Sequence, residues 1–230
     1  MKIGFDVISD LYLRPDDSFN WEGKATSLYC IVAGNISKDL RTIRQTLAHL
    51  GRFYQGVFYC LGALEYEDCE NIETRTKEIF KICTTLRNTA LLHQHVVIID
   101  SIAIVGVNGW YGNTLPADLV TEAKIETHRH EDIIYLKNSI EKLQRHLDVK
   151  KIVVVSNSVP GPELYFGQEP EHAQGQIPIF IALEADTEKK VCHWAYGTYD
   201  KPVELTLNSV TYVNNSSYKK NPYWSKRIEV

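Results

Sequence analysis

Nowhere in the 230 residues does an apolar run approach the roughly 18 residues that a membrane-spanning helix needs. The N-terminal run is broken by Asp6 and Asp10 and ends in no small-residue cleavage site, so the expectation is a cytoplasmic chain with no membrane partner. No C-x-x-C pair occurs among the five cysteines, Cys30, Cys60, Cys69, Cys83 and Cys192. Their number is odd and three lie in apolar periodic segments, which reads as reduced, mostly buried thiols. Charge of one sign is not in excess: 25 basic residues against 29 acidic ones leave a net charge of −4. No global positive field therefore draws in nucleic acid. Also missing are a G-x-S-x-G elbow, a Walker loop and a dinucleotide-type glycine pattern. What remains, 44% hydrophobic and 23% charged, is the composition of a globular chain with a substantial core, and residues 1–230 read as a single domain.

Blocks of strand and helix alternate in the first 90 residues. Ile3 to Ile8 and Leu28 to Ala33 are short β-branched runs, and Leu40, Ile43, Leu47 and Leu50 then recur at helical spacing. Val57 to Leu61 reads as a third strand, and Ile72, Ile79, Ile82, Cys83 and Leu86 as a second amphipathic helix. Strands this apolar, separated by helices, imply a mainly parallel sheet covered on both faces. His95 to Ile99 and Ile102 to Val107 flank Asp100-Ser101 as a hairpin. Ile133, Leu136, Ile140, Leu143 and Leu147 predict a third helix, and Lys151 to Val155 a strand leading into a long loop that extends to about Gln176. Ile177 to Leu183, Val191 to Tyr196, Val203 to Leu207 and Val210 to Val213 read as strands of an antiparallel tail.

Ligands of open α/β folds gather where strands end, because the loops there converge. Those ends are Ser9-Asp10-Leu11-Tyr12-Leu13, Ala33-Gly34-Asn35-Ile36-Ser37, Leu61-Gly62-Ala63-Leu64-Glu65-Tyr66, Val155-Ser156-Asn157-Ser158 and Tyr196-Gly197-Thr198-Tyr199-Asp200. In order and spacing they resemble the calcineurin-like metallophosphoesterase family, whose motifs are D-x-H (often SDLHL), AGDI, GNHE, THH and GHTH. Val105-Gly106-Val107-Asn108-Gly109-Trp110 is similar to that family's segment after its central hairpin. Asn221-Pro222 with Ile228-Glu229-Val230 is similar to its ending. The resemblance spans the whole chain and implies an α/β fold: a four-layer αββα sandwich of two mixed sheets with flanking helices.

The departures from the family pattern carry the functional expectation. In the family, seven side chains hold two divalent metals that orient a phosphate and activate a water. The matching positions here are Asp10, Tyr12, Asn35, Ala63, Asn157, Thr198 and Asp200, of which only Asp10 is unchanged. Tyr12, Asn157, Thr198 and Asp200 stand where the family has histidines, Asn35 replaces the bridging aspartate, and Ala63 replaces a liganding asparagine. The family's catalytic histidine falls on Leu64, which cannot donate a proton. The resemblance thus implies a vestigial site with no catalytic residue, no cofactor and no metal.

Three functions follow from that reading. The first is a pseudoenzyme kept as a protein-binding or scaffold subunit of a larger assembly. The second is a phosphoesterase or nuclease with a rebuilt single-metal site on Asp10, Asn35, Asn157 and Asp200, whose oxygens suit a hard cation. The third is a nucleotide or small-molecule binder that uses the vacated pocket. Tyr165, Phe166, Tyr218, Tyr223 and Trp224 are the partner-binding candidates, since aromatic side chains supply contact area at low entropic cost. Lys219, Lys220, Lys226 and Arg227 interleave with some of them, a mixture that could stack on single-stranded nucleic acid, a partner that the acidic balance disfavours. His93-Gln94-His95 and His128-Arg129-His130 have the spacing of zinc pairs but no third ligand nearby, and read as solvated histidines.

Overall fold

Alternation along the strands sorts the apolar side chains into three separate layers of core. In strand β1, Gly4–Ile8, the side chains of Phe5 and Val7 enter one core cluster and Ile8 enters another. The same division runs through β2, Tyr29–Ala33, and β3, Gly56–Cys60: Ile31, Ala33, Phe58 and Cys60 join Phe5, while Cys30, Val32, Val57 and Tyr59 join Ile8. Period-two alternation with both faces apolar is what a sheet covered on both sides requires. The structure, a computed structural model, describes residues 2–112, 119–217 and 223–230, without the side chains of residues 119–122.

Helix α1, Leu40–Leu50, and helix α2, Ile72–Thr85, cover the outer face of this first sheet. Asp39 caps α1 by accepting from the Thr42 amide at 2.7 Å, and Asn71 caps α2 by accepting from the Thr74 amide at 2.8 Å. A short strand absent from the sequence reading, β4 at Thr89–Leu91, follows α2 and pairs with β3 in parallel. The hairpin is present as β5, His95–Ile99, and β6, Ile102–Val107, with Asp100 in the left-handed region at φ 49°. Strand β7, Lys151–Ser156, then lies parallel to β6.

Helix α3 runs over Leu119–Arg145, beginning earlier than its apolar stripe suggested. Among the described side chains of its N-terminal half, 123–132, most are polar and Ile125 is the buried apolar one, so this stretch is held by other means. Arg129 is buried, pairs with Glu126 and donates to the Ile177 carbonyl, and Asp132 accepts from the Gly109 amide. Leu147, expected on the stripe, lies beyond the helix and is 84% exposed.

Two further expectations are corrected. Ile177 to Leu183 is not a strand: Ile177 and Pro178 are irregular, and the rest belongs to a 3-10 helix over Ile179–Ala185. Pro178 fixes the backbone just before it, and Ile179 and Ala182, three residues apart, bury together against the α3 side of the core. Nor is the tail wholly antiparallel. Strand β8, Val191–Tyr196, pairs in parallel with both β7 and β10, Val210–Asn214, while β9, Val203–Leu207, pairs antiparallel with β10 at the sheet edge. Strand β10 buries Val210, Tyr212 and Val213 and takes the inner place; β9 exposes Glu204 and Thr206 and takes the outer one.

With the C-terminal strand β11, Lys226–Glu229, the sheets have the orders β11-β1-β2-β3-β4 and β5-β6-β7-β8-β10-β9. Ile104, Val153, Val155, Ala195 and Val213 of the second sheet meet Phe5, Ile31 and Phe58 of the first in one cluster, so the sheets face each other. Helix α3 and the Ile179–Ala185 turn cover the outer face of the second sheet. These are the four layers, αββα, of the expected sandwich.

Candidate functional site

Parallel strands β1, β2, β3 and β7 and strand β8 point their C-terminal ends at a common place, and hydrogen bonds join the residues there. Asp10, just past β1, is buried and takes four kinds of donor. Asn35 Nδ2 donates to its Oδ1 at 2.8 Å, the Thr198 amide donates to Oδ1 and Oδ2 at 3.0 and 3.1 Å, and Ser9 Oγ donates to Oδ2 at 2.8 Å. The fourth donor is the Ser216 side chain. Asn35 Nδ2 also reaches the Tyr12 hydroxyl at 3.3 Å, and its Oδ1 accepts from the Leu64 amide at 3.0 Å. Asn157 donates through Nδ2 to the Ala33 carbonyl at 2.8 Å, and its Oδ1 accepts from Thr198 Oγ1 at 2.8 Å. One network thus joins Asp10, Tyr12, Asn35, Leu64, Asn157 and Thr198. Ala63 caps the short turn Leu64–Tyr66 at its edge. Asp200 is exposed and stands outside these bonds.

The backbone here enters the left-handed region, which Asp10 and Asn35 tolerate and which Tyr12 and Thr198 do not favour. Asp10, Tyr12, Asn35 and Thr198 all have positive φ, between 49° and 60°. For the β-branched Thr198 this is a genuine outlier, held by the two bonds from its amide to Asp10. Such conformations persist where the surrounding structure fixes them, and they concentrate at binding sites. Close approach is the second feature. A Cβ on Gly62 would stand 2.3 Å from Asn35 Oδ1 and 2.7 Å from the Asn35 nitrogen, and one on Gly197 would stand 2.5 Å from the Ala33 carbonyl oxygen. The strand-end loops are drawn tightly onto the two asparagines.

Two carboxylates that the sequence reading did not single out organise the surroundings. Glu65 is fully buried and accepts from the amides of Asn35, Ile36 and Gly62 at 3.1, 2.6 and 2.7 Å and from the Tyr59 hydroxyl at 2.8 Å. It pins the β2 and β3 loops to each other. Its signal was present as the fourth residue of the Gly62-Ala63-Leu64-Glu65 run. Asp132 on α3 is also buried, accepting from Gly109 N at 2.9 Å and Gln94 Nε2 at 3.0 Å. Its signal was a carboxylate in helical register with the buried Ile125, Arg129 and Leu136. Burial pushes the carboxyl groups of Asp10 and Asp132 up to about 6, against the lowering effect of their hydrogen bonds, and it raises Glu65 too.

The other candidates are scattered. Tyr165 is buried, Phe166 is 53% exposed, and Trp224 is 46% exposed, with its carbonyl accepting from Asn215 Nδ2. Tyr223 is half-buried against Phe19, near Lys24 Nζ. Tyr218 lies outside the described residues, as do Lys219 and Lys220. His128 and His130 sit on a helix rather than a strand. His128 stacks on Trp110 and bonds Glu131, His130 bonds Glu126, and the His93 ring is largely buried. All five cysteines are free thiols. No helix among the described residues is long and apolar enough to cross a membrane.

Two face-packed mixed sheets whose strand-end loops meet at one point define the fold as that of the calcineurin-like metallophosphoesterases. The solved structures similar to this chain agree. One is a phosphopantetheinyl hydrolase from Mycobacterium tuberculosis, with a TM-score of 0.70 at 13% identity over 99% of this chain and 96% of the other. Another is a putative 5'-nucleotidase from Staphylococcus aureus in complex with alpha-ketoglutarate. It has a TM-score of 0.63 at 13% identity, and the match covers all of this chain but 51% of the nucleotidase. No family profile and no curated protein matches the sequence.

The fold implies a pair of divalent metals, and the donor set does not fit them. Among the matching positions that the network joins, Asp10 is the one carboxylate, and both of its oxygens already accept hydrogen bonds. Asn35 Oδ1 and Asn157 Oδ1 are each taken by a donor as well. A neutral amide at the bridging position cannot offset the repulsion between two dications. Among the described residues no cluster of three histidine, cysteine or acidic side chains has the arrangement to hold a metal ion.

Proposed function

We propose that this chain is a phosphoesterase fold stripped of its metal chemistry and kept as a protein-binding or scaffold subunit of a larger assembly. The observation that carries this reading is the saturation of Asp10: four donors converge on the carboxylate that, in the family pattern, would face a metal. Four of the six positions of lost ligands, Tyr12, Asn35, Asn157 and Thr198, are filled by groups that bond one another or Asp10, so the network reads as a structural knot. A rebuilt single-metal site would need Asp200, which is exposed and outside the network, and Asn157 Oδ1, which already accepts from Thr198. Leu64 contributes only its amide.

The exposed aromatic residues Phe166 and Trp224 supply the contact area for a partner. The test is a pull-down from the chain's own host extract with wild type, Phe166→Ser and Trp224→Ala, alongside melting curves and hydrolysis of a generic phosphodiester with manganese. The expected result is no metal-dependent turnover and a captured protein that Trp224→Ala loses without a lowered Tm. Metal-dependent turnover abolished by Asp10→Ala would favour the rebuilt-site enzyme instead.

A further inference from the structure

Four strands stand at the edges of the two sheets, and three of them are guarded. Strand β11 carries Lys226, Arg227 and Glu229, β4 has three residues, and β9 follows Lys201-Pro202 and holds Glu204 in an ion pair with Lys226. Charges, proline and short length are the devices that stop an edge from recruiting another strand. Strand β5 has none of them. His95–Ile99 pairs with β6 in regular antiparallel register without a bulge, and its sequence after the histidine is Val-Val-Ile-Ile. No hydrogen bond from another described segment reaches its outer edge.

A large aliphatic side chain also stands open on this strand: Ile98 is 45% exposed. An open backbone edge with an exposed aliphatic side chain is a template for strand addition.

We propose that β5 is a self-association edge, pairing antiparallel with β5 of a second copy of this chain to join the two six-stranded sheets. A two-fold axis normal to the sheet preserves its inner and outer faces, so opposed residues share parity along the strand. With the axis at Val97, Val97 meets itself, Val96 meets Ile98 and His95 meets Ile99. No charge opposes a charge within the strand, and Asp100, the first charged residue beyond it, falls opposite the uncharged Gln94. The strand is therefore compatible with its own copy at every position, which is what an isologous interface requires. Five residues a side make a small interface, so the dimer is weak and forms with rising concentration. This inference stands apart from the reading of the strand-end site.

Sedimentation velocity across the micromolar range tests it, with Ile98→Lys as the disrupting variant and Phe80→Ser, at an exposed position on α2, as the control. Wild type and the control are expected to shift from monomer to dimer, and Ile98→Lys to dissociate at least about tenfold more readily. Hydrogen exchange of wild type gives a readout that does not depend on any variant folding: amides in 95–99 gain protection as concentration rises. A wild type that stays monomeric, or a dimer that survives Ile98→Lys with β5 exchange unchanged by concentration, overturns the proposal. A monomeric wild type whose β5 amides are protected only by an added extended apolar peptide overturns it in favour of a peptide ligand.

Discussion

Glu65→Ala is expected to destabilise the chain by more than about 4 kcal/mol and to leave little folded protein at ambient temperature. The substitution leaves three backbone amides, those of Asn35, Ile36 and Gly62, and the Tyr59 hydroxyl buried with no acceptor. An orphaned buried donor costs on the order of 1–3 kcal/mol. Part of this is offset, because burial already disfavours the ionised carboxylate and raises its pKa. Glu65→Gln keeps one acceptor oxygen and should fall between wild type and the alanine variant. Urea denaturation of the three proteins checks the order. A Glu65→Ala protein of near wild-type stability would mean that the loops holding Asn35 and Gly62 do not depend on this carboxylate.

The second large effect is a pH dependence. The Asp132 carboxyl keeps its proton up to about 6 in the folded chain and releases it near its ordinary value of 3.8 when unfolded. A folded pKa raised in this way gives a contribution that is fully present below 3.8 and is lost as pH rises through about 6. Asp132→Asn removes that loss: the new amide oxygen can still accept from Gly109 N, and the Gln94 amide can turn its oxygen toward the new amide nitrogen. Relative to the variant, wild type should therefore lose about 2.5 kcal/mol between pH 4 and pH 8, most of the roughly 3 kcal/mol that the whole shift is worth at about 1.4 kcal/mol for each pH unit. His49, His93 and His193, whose pKa values burial lowers, act in the opposite sense, but they are common to both proteins and cancel in the difference. Stability curves of the two proteins that run parallel with pH would contradict the assignment.

The parts of this architecture legible in the sequence were those governed by period and by strand ends. Leu40, Ile43 and Leu47 mark a helix because one face must be apolar, and the runs at β1, β2, β3 and β7 mark strands because both faces are buried. What escaped was set by contacts distant in sequence. The polar half of α3 is held by Arg129 and Asp132 reaching Ile177 and Gly109, and the parallel pairing of β8 with β10 depends on which strand of a hairpin is the more apolar. At the site, the motif residues could be named one by one. That Asp10 is saturated by Ser9, Asn35, Thr198 and Ser216 could not, since two of these partners come from about 190 and 200 residues away. Glu65 escaped for a different reason: a lone acidic residue in a loop gives no sign of burial until the amides that surround it are known.

The central claim is that the strand-end network of Asp10, Asn35, Asn157 and Thr198 has replaced a metal centre. Calorimetric titration of the metal-free chain with manganese and then zinc, with elemental content measured after dialysis, tests it most directly. The account predicts no saturable binding of a metal pair and no stoichiometric manganese, zinc or iron retained. Two ions held per chain, and lost together in Asp10→Ala while that variant remains folded, would contradict it.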